Sequence, residues 1–263
     1  MNIITKIQHL VLASHLKRHK IPLKLWHQSI SKMPIVQRYS SQQRMQLRLL
    51  ASEILRTKHF IAVKGMQFTD EIKVMIATQA AIMVYGFEED KEGSANSWLR
   101  NWNQIIVYPM PFLNGRDNIV SPSGILVSQL AFESGETQYQ GGIVIDWNDD
   151  EPHPLRAHAN QVLMHEMAHK IDMLDGNTNG HPPLHSNMNE QAWFDAFEEA
   201  FNHLSKQVES GTRVDINPYA ATSPAEFFAV VTEYFFEAPV VLKRVFPKVY
   251  EQMVLFYKQN PLA

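Results

Sequence analysis

Two histidines four residues apart, with a glutamate directly after the first, are the residues of this chain best spaced for chemistry: His165-Glu166-Met167-Ala168-His169. On an α-helix that separation is about one turn, so both imidazoles leave the same face and can close on one metal ion. Glu166 projects toward the same opening, where a carboxylate can take a proton from a metal-bound water; a zinc peptidase requires this arrangement. The flanks carry a helical pattern. Val162, Leu163 and Met164 lead in, Ile171 and Leu174 continue the apolar face, and Asp175-Gly176 ends it. Asp172 falls on the same side of that helix as His165 and His169, placed either to orient a ligand imidazole or to serve as an ordinary polar residue near a helix end.

Two histidines leave a zinc ion short of a third protein ligand, while catalysis needs one position kept for water. Glu226 is the best candidate, in Ser223-Pro224-Ala225-Glu226. That spelling also reads as a helix start: serine caps, proline takes the first helical position, and the glutamate can return to the cap's backbone N–H. Glu226 therefore has two candidate roles, ligand and half of a capping box. The helix that follows is apolar on nearly all sides through Phe227, Phe228, Val230, Val231, Phe235 and Phe236, so its carboxylates need buried partners. Glu233, two turns along the same face, is an alternative ligand or an acceptor behind a ligand. Tyr219 stands in a turn rich in helix breakers, Asn217-Pro218-Tyr219-Ala220, and is either a hydrogen-bond donor to a developing oxyanion or a packing residue.

The rest of the chain must position these groups. With 263 residues and 45% hydrophobic content, it is long enough for one large domain, expected to span 1–263 with a helical N-terminal region over 1–60 and a catalytic core over 61–263. A net charge of −3 with dispersed basic residues argues against nucleic acid as a direct partner. The absence of cysteine excludes disulfides and thiolate ligands, so a metal must be held by nitrogen and oxygen; it also fits a cytoplasmic protein. Residues 3–16 are interrupted by Lys6, Gln8 and His9 and followed by Lys17, Arg18 and Lys20, which points to a short amphipathic helix and not a signal peptide. The longest apolar run, 74–87, contains Thr78 and Gln79 and is too short to span a bilayer.

Helical patterns cover 22–60 with a break at Pro34, and a further helix starts at Thr69 or Asp70 and stops near Gly86. Strands follow over 104–108, 124–129 and 142–147, the last immediately before the metal helix and able either to pair with an extended peptide or to serve as an ordinary core strand. Residues 177–189 read as a loop, with His181 and His185 at its surface because Pro182 and Pro183 forbid a helix there. A helix over 190–208 completes the pattern. The expected fold is α+β: a zincin-like metallopeptidase core with an N-terminal helical region, a small mixed sheet and an active-site helix.

The metal motif extended through Lys170, Ile171, Asp172 and Gly176, the Tyr219 to Glu226 segment and Glu233-Tyr234-Phe235-Phe236 together resemble the Mlc titration factor A family. The likeness extends over most of the chain. It implies a cytoplasmic, zinc-dependent peptidase of the gluzincin kind, with one zinc per chain, aminopeptidase-type activity on small peptide substrates, and a core similar to the catalytic domain of anthrax lethal factor. His165, His169 and Glu226 would be ligands, Glu166 the general base and Tyr219 the oxyanion donor. A partner is implied too: the glucose-responsive repressor Mlc, whose removal from its operators influences the glucose phosphotransferase system. The chain departs from some relatives where Val127 precedes Ser128-Gln129 in place of a histidine, so an extra metal contact there is absent. The rival reading is a repressor-sequestering protein with a vestigial or secondary peptidase site; the intact Glu166 argues against it, since binding alone needs no base between two ligands.

Overall fold

Capping chemistry and apolar period set the helical frame. The computed structural model describes residues 20–62, 68–87, 98–108, 119–120, 126–127, 142–146 and 154–263. After α1 (Leu23–Ile30) and a 3-10 turn over Pro34–Arg38, α2 (Ser41–Thr57) starts in a full capping box, with Ser40 Oγ accepting from the Gln43 N–H and Gln43 Oε1 accepting from the Ser40 N–H at 2.8 Å. The Thr69 side chain caps α3 (Asp70–Val84). This helix is buried continuously from Val74 to Val84, as its unbroken apolar run anticipates.

Lys58 alone separates α2 from a strand that the helical pattern hid, β1 (His59–Ala62). It pairs in parallel with β2 (Gln104–Tyr108), which pairs in parallel with β5 (Ile143–Asp146), in the order β1-β2-β5. A separate antiparallel pair joins β3 (Ile119–Val120) to β4 (Leu126–Val127). The expected mixed sheet is thus, over the described strands, three parallel strands with the antiparallel pair apart from them. β1 straddles residue 60, so the helical region and the sheet meet inside one strand. Ile105, Val107, Ile143 and Ile145 point into the core. The expectations for 3–16, for Trp147 and for the flanks of β4 lie outside the described residues.

β5 precedes the metal helix α4 (Pro154–Asp172), which packs chiefly on α6 (Pro224–Glu237) and also on α3. Between them run the 3-10 turn Met173–Asp175, the expected loop, α5 (Glu190–Glu209) and a second 3-10 turn, Pro218–Ala221. Helices α7 (Pro239–Val245) and α8 (Pro247–Tyr257) follow. One buried cluster runs from Ile21 to Tyr257, its aromatic part built by Trp193, Phe197, Phe228, Phe235 and Phe256. The architecture is mostly helical with a small sheet, an α+β chain. No described helix is long and apolar enough to cross a membrane.

Candidate metal centre

The centre forms where one turn of α4 meets the first turn of α6. His165 and His169 lie one turn apart with their Nε2 atoms 3.1 Å from each other. Glu226 Oε2 stands 2.9 Å from His165 Nε2 and 3.4 Å from His169 Nε2. Among the described residues these three form a group able to hold a metal ion.

Whether a metal fits can be judged from the donor atoms. A tetrahedral ion with arms of 2.0–2.1 Å separates its ligand atoms by about 3.3 Å, close to the observed spacings. The second ring nitrogen of His165 sharpens the case. Its Nδ1 is 2.6 Å from Glu233 Oε1, and a carboxylate there requires an N–H on Nδ1. In a neutral ring Nε2 then presents a lone pair toward Glu226, acceptor against acceptor, and a cation must lie between them. In the metal-free protein a proton takes that place: burial opposes charge on His165, but the hydrogen bonds to Glu226 and Glu233 prevail and push its pKa up to about 10. Burial likewise opposes charge on Glu226, yet its hydrogen bonds to His165 and His169 hold the carboxyl well below the usual range. A cluster of two imidazole nitrogens and an ionised carboxylate oxygen fits a divalent cation.

The remaining groups face this point. Glu166, half-buried, is close enough for its charge to push up both His165 and Tyr219. The Tyr219 ring lies 6.1 Å from that of His165. Burial first, then the charge and hydrogen bonding of Glu226, raise the Tyr219 pKa and keep its phenol a donor. Its turn is tied down from both sides: Asn217 Oδ1 accepts from the Tyr219 N–H at 3.0 Å, and the Asn217 N–H donates to the Tyr234 hydroxyl on α6 at 3.1 Å. The Asn-Pro turn signalled Asn217, whereas nothing in the sequence marked Tyr234 as its anchor.

Three of the residues singled out in the sequence take the following positions. Ser223 Oγ accepts from the Glu226 N–H at 3.2 Å, but the Glu226 carboxylate has turned to the histidines, so the capping box is only half made. Glu233 stands behind His165 as an acceptor. Asp172, fully buried, accepts from the Gly180 N–H at 2.8 Å through Oδ2; its Oδ1 and the Nδ1 of His169 are both buried without a hydrogen-bond partner. His185 is a correction. Expected at the surface, it is buried against Phe87, Trp98 and Phe256 with its Nε2 at 2.7 Å from the Phe256 carbonyl, because an aromatic pocket assembled from distant parts of the chain and a carbonyl acceptor receive the ring. His181 stacks on Phe194.

A histidine pair on α4 and a glutamate on α6, in an α+β chain, form a helix-borne group able to hold a metal ion, the kind of site that metallopeptidases carry. Comparison with known proteins narrows it. The family described as glucose-regulated metallo-peptidase M90 matches residues 8–258, and the chain belongs to that family. Similar proteins include the Mlc titration factor A of Yersinia pestis (strain Pestoides F) and that of Yersinia pseudotuberculosis (serotype O:1b, strain IP 31758). Each is 31% identical over 243 residues, covering 90% of this chain and 85% of the relative.

Proposed function

We propose that this chain is a zinc-dependent peptidase of the gluzincin kind, a single zincin-like domain acting in the cytoplasm with aminopeptidase-type preference for short peptides. The observation that carries the reading is the convergence of His165 Nε2, His169 Nε2 and Glu226 Oε2 within 3.4 Å of one another, flanked by Glu166 and Tyr219. His165, His169 and Glu226 would hold one zinc ion, which supplies Lewis acidity toward a water and the scissile carbonyl. Glu166 takes the proton from the attacking water and later delivers it to the leaving amine. The Tyr219 hydroxyl donates to the carbonyl oxygen as it gains charge. Glu233 keeps the His165 proton on Nδ1, so that Nε2 remains free to ligate. Asp172 adds negative charge beside His169. β5, at the edge of the described sheet, is the strand available to an extended substrate backbone.

The test is zinc content and hydrolysis of amino-acid and short-peptide anilides by wild type and Glu166→Gln. We expect one zinc per chain in both and a loss of about 10²–10⁴-fold in turnover in the variant. Unaltered hydrolysis by Glu166→Gln would remove Glu166 from the mechanism.

The similarity to proteins named Mlc titration factor A favours a second role, binding of an Mlc-type repressor with consequences for the glucose phosphotransferase system. Capture of Mlc by Glu166→Gln as efficient as by wild type would make binding separable from catalysis and support a sequestering role. Loss of capture would couple the two.

A further inference from the structure

We infer that Gly180 is a positioning residue of the metal centre: it links the end of the metal helix to the start of the ligand helix and so sets how far Glu226 stands from His169. The inference rests on the metal reading above. Its first half is the buried hydrogen bond from the Gly180 N–H to Asp172 Oδ2, at 2.8 Å, with Asp172 three residues beyond His169. Its second half is a backbone contact. A Cβ added at Gly180 would lie 2.4 Å from the Pro224 carbonyl oxygen and 2.7 Å from its carbon, and φ is +78°. Pro224 opens α6, two residues before Glu226.

The magnitudes decide that this contact matters. Restoring an ordinary contact of 3.4 Å at the Pro224 oxygen requires a movement of about 1 Å, the difference between 3.4 and 2.4. Metal–ligand distances tolerate about 0.2 Å. A side chain at 180 therefore forces the first turn of α6, or the Gly180 backbone that bonds Asp172, to shift by more than the centre can absorb, and either shift breaks the link. Gly176 supplies an internal control: its φ is +96° and nothing lies within 4 Å of an added Cβ, so alanine there meets left-handed strain without displacing α6.

The experiment is competition for Zn(II) against a chromogenic chelator, at a temperature where circular dichroism shows each protein folded. Wild type is compared with Gly176→Ala, Gly180→Ala, Asp172→Ala, Asp172→Asn and Glu226→Ala. Gly180→Ala and Asp172→Ala should bind zinc about 10-fold or more weakly. Gly176→Ala should match wild type, and Asp172→Asn, which keeps an acceptor oxygen for the Gly180 N–H, should recover most of the loss. Equal affinity of Gly180→Ala and Gly176→Ala overturns the inference while a weakened Glu226→Ala leaves the metal centre standing. If Gly180→Ala does not fold, wild-type affinity in Asp172→Ala overturns it instead. A wild-type protein that binds no zinc, or a Glu226→Ala variant that binds as wild type does, ends the metal reading itself and this inference with it.

Discussion

His165 engages both ring nitrogens, and that makes Glu233 the most informative single residue after the ligands. The carboxylate at 2.6 Å holds the Nδ1 proton and with it the orientation of the ring. Glu233→Ala leaves that N–H buried and frees the imidazole to turn, so zinc affinity should fall by about 10–100-fold. Zinc titration against a chelator checks this, and unchanged affinity would make Glu233 a packing residue. Asp172 behaves differently because its surroundings disfavour its charge. Burial raises its carboxyl to about 6, against the opposing hydrogen bond from Gly180. The folded chain then binds more protons than the unfolded one between pH 4 and 6, so this group's contribution to stability declines as pH rises through that window. In chelator-treated protein Asp172→Asn should therefore gain stability over wild type progressively from pH 4 to pH 7, by roughly 2–3 kcal/mol at most. Parallel melting temperatures across that range would contradict the charge penalty.

The helices at Ser40 and Ser223 begin with the same capping chemistry and end with different assignments, which explains what the sequence could reveal. Gln43 closes its box on the Ser40 N–H, while Glu226, with two imidazoles in reach, leaves its box half made. Local spelling identified the Ser223 cap, but only the approach of α4 decides where the carboxylate goes. Ser223→Ala should remove about 1 kcal/mol and lower the melting temperature by about 2–4 °C, with weaker zinc binding in proportion as the first turn of α6 frays. Full zinc affinity at the lowered melting temperature would mean that packing against α4 alone positions Glu226. The metal helix, β2, β5 and the buried α3 were legible because each carries a strong period or an unbroken apolar run. β1 was not, since the four residues His59–Ala62 follow a seventeen-residue helix after a single lysine and the pattern shows no break. The inward turn of His185 was equally hidden, because its partners Phe87, Trp98 and Phe256 come from distant parts of the chain.

At the scale of the molecule, an ion bound here would join two helices whose ligands, His165 and Glu226, are 61 residues apart in sequence. The helices do not depend on that link to meet: α4 and α6 already bury Leu163, Met167, Phe227, Phe228 and Phe235 in the common core. The metal-free centre is also internally compensated, with a protonated His165 lying between the Glu226 and Glu233 carboxylates. Chelation should therefore leave the chain folded at 25 °C, unlike a small zinc finger whose fold is metal binding itself. The stabilisation added by zinc follows mass action: at a free concentration about 100 times the dissociation constant it contributes about 2.7 kcal/mol, worth about 5–10 °C in melting temperature for a chain of this size. Calorimetry with and without chelator measures it, and in Glu226→Ala the difference should largely vanish because the ion no longer spans the two helices. A chain that unfolds at 25 °C on chelation would show that the core is too weak to hold α4 against α6 alone. An unchanged melting temperature in wild type would show that no ion bridges them.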